Sequence, residues 1–597
     1  MKTVYLILIA FVCATIATAQ TIPTTKRVLW SNAGSFQNNP VITTQLNVMN
    51  FGAHADSVTD DAHAIDSAIT SLNGHAGILY FPPGNYLVKS TLNLPDSIIL
   101  RGNCYDSAHL VFSLNGGAID CIDAQTNQTG VFRNIISGYQ KESITIVLDS
   151  TTGFAVGDYC EIQETNGTWN TVPINWAVNC VGQLIHIIGI NGNTLTFENP
   201  LRITYSSSLV PKIRKWTPRV FVGIEDLSIT RVDAGLPSTG YAINFYNALN
   251  CWVKGVESSH SVGAHVTLNV SSNITVSGCY FHDAFAYDGS GTRGYGVMMI
   301  QHTGQCLIEN NVFNHLRHSI IVKQGANGNV AGYNYAANGY RTEFPTDAGA
   351  DLCAHGHYSF ANLFEGNIVN NIMIDSTWGP TGPYTTFYRN RAAGYGVIMT
   401  PGPSVTSDSL NFLGNETTNS AIFHGLYSLA GTNHLQYGNN ILGVITPSST
   451  VVTDTSYYRT SFADFFNAAP YPPTVGMPNV PNSGTNPAMH RVIAGGRITV
   501  SPNPPCITTE IPALNTADEI FVYPNPASTN IFIKWNAFTP SYLEIIGLDG
   551  RKIYSTNVAA GKSLIEISTA TISQGIYFLR ILNDKEVVVK KVVIERY

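Results

Sequence analysis

The chain has 597 residues, a formal net charge of −7 and only 12% charged residues. The length exceeds one ordinary domain, the charge balance leaves no basic footprint for nucleic acid, and no stretch reaches the ~18 apolar residues of a membrane span. Any recognition of a polyanion must therefore be local.

Residues 1–20 read as an export signal: Lys2, an apolar run from Val4 to Ile16, then Ala17-Thr18-Ala19 before Gln20. Of ten cysteines, Cys13 leaves with that signal. Cys160 and Cys180 lie close enough in sequence to pair in an exported chain. Cys251, Cys279 and Cys306 read as small buried fillers.

From Asn50 the sequence runs NFGAHADSVTDDAHAIDSAITSL and then GILYFPPGNYLVKSTLNLPDSIILRGN. Thr59 or Asp60 caps a short helix whose apolar face is Ala64, Ile65, Ala68, Ile69 and Leu72. At a helix start Asp60-Asp61 read as capping groups, not a catalytic pair. The stretch resembles the N-terminal module of the pectate-lyase superfamily, the rhamnogalacturonase/epimerase-like group, whose usual phrase is FGAxGDGxTDD, a helix, then YFPxGxY. Ala55 and Ser57 stand where that phrase has glycines. The resemblance implies a β-helix that acts on polysaccharide.

Residues 136–205 read as a small antiparallel β insert, with a tight hairpin at Asn191-Gly192. Trp169 and Trp176 are expected to close its core, with sugar contact as the alternative. Beyond it, six asparagines recur in similar phrases: Asn311, Asn334, Asn367, Asn390, Asn415 and Asn439, at steps of 23, 33, 23, 25 and 24 residues. The phase extends back to Cys279 and Val256. Such a period predicts one turn of a parallel β-solenoid. Asparagine suits its corner because it tolerates the αL conformation and its amide can bond from coil to coil. The expected fold is all-β: a right-handed, single-stranded parallel β-helix over 45–460 with the insert, then a C-terminal β-sandwich.

Residues 461–517, rich in Pro, Asn and Ser, read as a cap and linker. In 518–597, the phrases Tyr523-Pro524-Asn525-Pro526, Gly547-Leu548-Asp549-Gly550-Arg551 and Gly575-Ile576-Tyr577-Phe578 resemble the C-terminal sorting domain of the type IX secretion system. That resemblance implies the type IX machinery as a partner, and a secreted or outer-membrane surface location. The rod is expected to act as a monomer.

Two steps of the repeat are longer by about nine residues, and the surplus falls in 284–294 and 340–350. Equal phase sends both loops off one face with one coil between them, roughly 10 Å apart at a strand spacing of about 4.8 Å. The bracketed coil carries His315, Arg317, His318 and Lys323. Neighbouring coils add His282, Asp283, Tyr295, His302, Asp351, His355, His357, Trp378 and Arg389. Six of sixteen histidines fall in 282–357, where an even spread gives about two.

Bases and cations outnumber paired acids here, which favours β-elimination on a uronic-acid glycan. The substrate carboxylate is neutralised by a cation, with Ca²⁺ as the alternative source of charge, and a base then takes the neighbouring proton. Arg317 or Lys323 is expected to neutralise and His318 or His355 to move the proton. His282, His315, His357, Trp378, Arg389 and Tyr295 are expected to bind sugar. A glycoside hydrolase needs two facing carboxylates; Asp283, Asp347, Asp351 and Asp375 are the candidates for that alternative. The third reading is a non-catalytic glycan-binding surface protein. No metal-ligand set is legible.

Overall fold

The computed structural model describes residues 21–596 apart from 36–40, 128, 234–239, 401–406, 448–451, 462–463, 467–483, 497–520, 535–540, 548–550, 560–563 and 583–586. The signal and most of the linker lie outside the described residues. The chain divides into two compact units, one ending at Cys506 and the other starting at Ile507.

The first unit is the right-handed parallel β-helix. One face is a twelve-stranded parallel sheet that begins at Gln45–Asn47 and ends at Leu435–Tyr437. A typical coil supplies three strands, as in Leu307–Glu309, Val312–Asn314 and His318–Val322. Strict register stacks like on like: Val266, Val297, Ile320, Leu352, Ile372 and Val397 form one inward rank. Phe364, Phe387 and Phe412 form another, with ring centroids 4.9 and 5.2 Å apart. Burial of these ranks supplies the main stabilisation of the rod.

The asparagines form one continuous ladder. Asn311 Nδ2 donates to Asn334 Oδ1 (3.0 Å), Asn334 to Asn367 (2.9 Å), Asn367 to Asn390 (2.8 Å), Asn390 to Asn415 (3.0 Å) and Asn415 to Asn439 (3.1 Å). Each Nδ2 also reaches a carbonyl of the preceding coil, as Asn367 does to Ala331 O at 2.9 Å. One expectation is corrected. The αL residue is the one before each marker, among them Gly278, Asn310, Tyr333, Gly366, Arg389, Gly414 and Gly438. Turning the chain one residue earlier leaves the asparagine buried, with its amide along the rod axis. A second corner, unseen in the sequence, repeats the device five residues upstream, where Asn329 donates to Asn362 at 2.9 Å.

The helix Ala62–Ser71 buries Ala62, Ala64, Ile65 and Ala68. Its N-cap is Asp61, not Thr59 or Asp60, with no side-chain cap bond, while Asp60 accepts from the first helical N–H, Ala62 N, at 3.1 Å. Asp61 instead braces the preceding loop, taking the N–H groups of His54 (2.7 Å) and Ala55 (3.1 Å). Ala55 and Ser57 both adopt positive φ, 54° and 67°, so they occupy a conformation for which glycine is the ordinary choice.

The insert is a closed barrel of six antiparallel strands running from Arg133–Ser137 to Lys212–Trp216. It is docked to the solenoid by two buried pairs: His302 Nδ1 to Glu161 Oε1 at 2.8 Å, and Arg202 Nη1 to Asn327 Oδ1 at 2.7 Å. The approach is close enough that a Cβ on Gly325, which has φ 72°, would lie 1.5 Å from Cys180 O. Cys160 and Cys180, close enough in sequence to pair, are both buried free thiols.

Within the segment read as cap and linker, residues 484–496 pack against the solenoid. Asn486 is buried, donates to Asn334 O at 2.8 Å and caps the helix Pro487–Ile493, so this segment lies along the asparagine corner. The second unit is a β-sandwich of three- and four-stranded sheets, with Ile531, Ile533, Leu543, Ile545, Ile567, Leu579 and Val592 in its core.

Candidate functional site

Strand alternation decides which side chains leave the rod. Val322, Ala354 and Ile374 point into the core, so Lys323, His355 and Asp375 emerge in one line on the outside. Lys323 is half-buried, and its Nζ lies 5.5 Å from the centroid of the Trp176 ring. It makes no ion pair with a described residue, and burial pushes its pKa down to about 8. His355 Nε2 stands 3.6 Å from Asp375 Oδ2, while its Nδ1 is buried without a partner among the described residues. Burial lowers this imidazole to about 4 against the opposing pull of Asp375.

Three aromatic rings close one side. Trp176 meets His357 edge-on at 4.8 Å and Trp378 at 5.9 Å. Neither His357 nitrogen finds a hydrogen-bond partner among the described residues, and burial lowers its pKa to about 4. Trp176 comes from the barrel, not the solenoid, and its carbonyl is held by Gln324 Nε2 at 2.7 Å. It is 41% exposed, so the expectation that it closes the barrel's own core is corrected. Trp169 does pack on that core, beside Tyr358 at 4.7 Å. Arg317 lies 5.7 Å from the Tyr295 centroid, with Nη1 on Gly291 O at 3.2 Å.

The other expected residues do not join this point. His318 is 9% exposed, bonds Ala350 O at 3.1 Å and meets Tyr295 edge-on, so it is packed in the wall. Burial holds it well below the usual histidine range. His282 and His315 belong to a different strand ladder. His282 bridges Glu257 (3.0 Å) and Asp283 (2.8 Å), and His315 bonds Asp283 at 2.8 Å between the rings of Tyr287 and Tyr340. There the two loops meet, Gly289 N donating to Glu343 Oε1 at 2.6 Å. Against the downward pull of burial, Glu257 and Asp283 raise His282 above its ordinary value. Arg389 sits at the αL position of the asparagine corner and donates to Val452 O at 3.0 Å, in the packing of the C-terminal coils. His302 serves the barrel contact described above.

The four expected acids do not face one another either. Asp351 is buried on Ser319, Asn370 and Asn371; Asp347 meets Tyr395; Asp283 and Asp375 serve histidines. An acid pair missed in the sequence lies further up the same sheet. Asn244 Nδ2 donates to Asp123 Oδ1 at 3.2 Å and also bonds Asp120; burial, then the neighbouring Asp120, push Asp123 up to about 6. Among the described residues no group of three or more His, Cys, Asp or Glu is arranged to hold a metal.

Comparison with known proteins relates two segments of the chain to described families. Residues 45–192 match the family described as rhamnogalacturonase A/epimerase, pectate lyase-like. Residues 521–595 match the secretion system C-terminal sorting domain. The first part of the β-helix is thus pectate-lyase-like in sequence, and the chain carries a type IX sorting tail, which marks it for export to the cell surface or medium.

Among individual proteins, the probable rhamnogalacturonase E of Aspergillus niger is 30% identical over 102 residues, 16% of this chain and 22% of that protein. The chain therefore spans under a quarter of that relative's length. The solved tailspike gp49 of Pseudomonas phage LKA1 is similar at 15% identity and a TM-score of 0.48, over 63% of this chain and 64% of that one. An exopolygalacturonase of Thermotoga maritima is similar at 11% identity and a TM-score of 0.33, over 68% and 91%. No helix among the described residues is long and apolar enough to cross a membrane.

Proposed function

We infer that the outer-face cluster cleaves a uronic-acid polysaccharide by β-elimination. One observation carries the reading: Lys323, a cation with no carboxylate partner among the described residues, stands on the strand line of His355, an imidazole kept neutral at pH 7. Lys323, assisted by Arg317, neutralises the substrate carboxylate, which acidifies the adjacent carbon. His355, positioned by Asp375, removes that carbon's proton. A carbon–carbon double bond forms as the bond to the glycosidic oxygen breaks, and that oxygen leaves with a proton from water. Trp176 and Trp378 form the sugar platform, with His357 beneath.

Incubation with a panel of uronic-acid glycans tests this. Elimination yields new reducing ends together with the ultraviolet absorbance of an unsaturated product. Reducing ends without that absorbance would move the chemistry to hydrolysis, for which Asp120 and Asp123 supply the two carboxylates. Because the neutralising charge is placed on Lys323, turnover is expected to persist in excess chelator; its loss would assign that charge to Ca²⁺.

A further inference from the structure

A cavity of about 300 Å³ lies between the barrel, residues 31–35 and the second solenoid corner. Its volume falls at the lower end of small-ligand sites, ~300–1,000 Å³. Nothing in the cluster around Lys323 reaches it.

The barrel supplies a flat aromatic wall: Tyr159 and His186 stack at 4.5 Å with 18° between their planes. Glu198 Oε2 pins His186 Nδ1 at 3.0 Å. The opposite wall comes from two αL positions of the second corner, Asn273 and Gln305, with φ 53° and 54°. Asn273 donates to the carbonyls of Asn32 (3.1 Å) and Gly34 (3.2 Å), fixing the N-terminal segment across the top. Gln305 is the informative residue. It is only 7% exposed, yet its side-chain amide bonds to no described residue while lining the cavity. Asn199 likewise uses its Oδ1 on Asn32 Nδ2 at 2.8 Å and leaves its own N–H groups without a described acceptor.

These amides open onto the cavity with bonding capacity that no described residue uses, which leaves them to a ligand. Here the amide donors and acceptors are neutral, an aromatic face lies opposite, and the lining holds no lysine or arginine, its one carboxylate, Glu198, being bonded to His186. That chemistry repels an acidic sugar and suits the hydroxyls and apolar face of a neutral one. We propose that this cavity is a second carbohydrate site, which binds one or two units of a neutral saccharide. The assignment is independent of the elimination chemistry.

The test uses the full chain with cellobiose, xylobiose and galactobiose, and separately with digalacturonate, followed by calorimetry and saturation-transfer NMR. At least one neutral disaccharide should saturate a single site. Its affinity should fall about tenfold in Gln305→Ala, the loss of one amide's bonds to the ligand, and further in His186→Ala. Gln305→Ala removes no side-chain bond to a described residue and is expected to melt as the parent does; if it melts lower, the near-isosteric Gln305→Glu replaces it. Digalacturonate contacts should be unchanged by either Gln305 variant. Absence of binding by all three neutral disaccharides overturns the proposal. So does binding that survives both the Gln305 and His186 substitutions, or digalacturonate binding that depends on Gln305.

Discussion

The asparagine corner and the outer-face cluster are built from the same kinds of buried polar group, and they treat them oppositely. At the corner the marker amides from Asn311 to Asn415 are completed by the coils on either side, as at Asn367, which bonds Asn334, Asn390 and Ala331 O. At the cluster, His357 has both ring nitrogens unpartnered among the described residues, His355 has one, and Lys323 lacks a counter-ion there. Complete pairing is what a structural role requires. Incomplete pairing costs stability and persists where a ligand supplies the missing partners.

The largest effect that sharpens this contrast is on turnover. His355→Ala should lower the elimination rate by about 10²–10⁴-fold, measured by the ultraviolet signal, while circular dichroism stays unchanged. An unaltered rate would return this histidine to the scaffold.

The pH profile is the next handle. His355 is base-competent once deprotonated, above about 4, and Lys323 is cationic below about 8. The rate is therefore expected to rise through the lower value and fall through the upper one. Lys323→Arg keeps its charge at any accessible pH and should displace the alkaline limb upward, even if the rate at the plateau drops. An alkaline limb that stays in place would break the assignment of Lys323.

On the structural side, Asn367→Ala strands the bonding groups of two neighbouring coils and should cost about 1–3 kcal/mol, read from denaturant unfolding of the solenoid unit. The smallest effect concerns the tail. Removing residues 518–597 should abolish delivery to the surface yet leave the melting temperature of the β-helix unchanged, since each unit has its own core. A large drop in that temperature would show that the tail supports the rod.

Why the fold was legible and the site only partly so follows from these same residues. A solenoid repeats its environment every coil, so a buried amide ladder leaves a visible period in the sequence. The second corner hid because its occupants change from Cys251 and Cys306 to Asn329 and Asn362. The cluster is not periodic. Its lysine and histidine share a phase, twelve residues after Asn311 and, once the nine surplus residues are removed, twelve after Asn334. That signal was present; Trp176 was not foreseeable, because nothing local tells which face a barrel insert will cover. His318 and Arg389 misled for a simpler reason: clustering in sequence says nothing about whether a ring points into a wall or a corner carries its side chain to the far packing.

The most direct test sets one residue of each region side by side. Asn367→Ala and His357→Phe are compared for melting temperature and for turnover per folded molecule. Phenylalanine keeps the edge contact with Trp176 and removes two unpartnered nitrogens, so His357→Phe should melt at or above the parent temperature while losing substrate affinity. Asn367→Ala should melt lower with turnover preserved. The opposite pattern, a destabilised His357→Phe with full activity, would contradict the division between a paired corner that holds the fold and an unpaired face that does the chemistry.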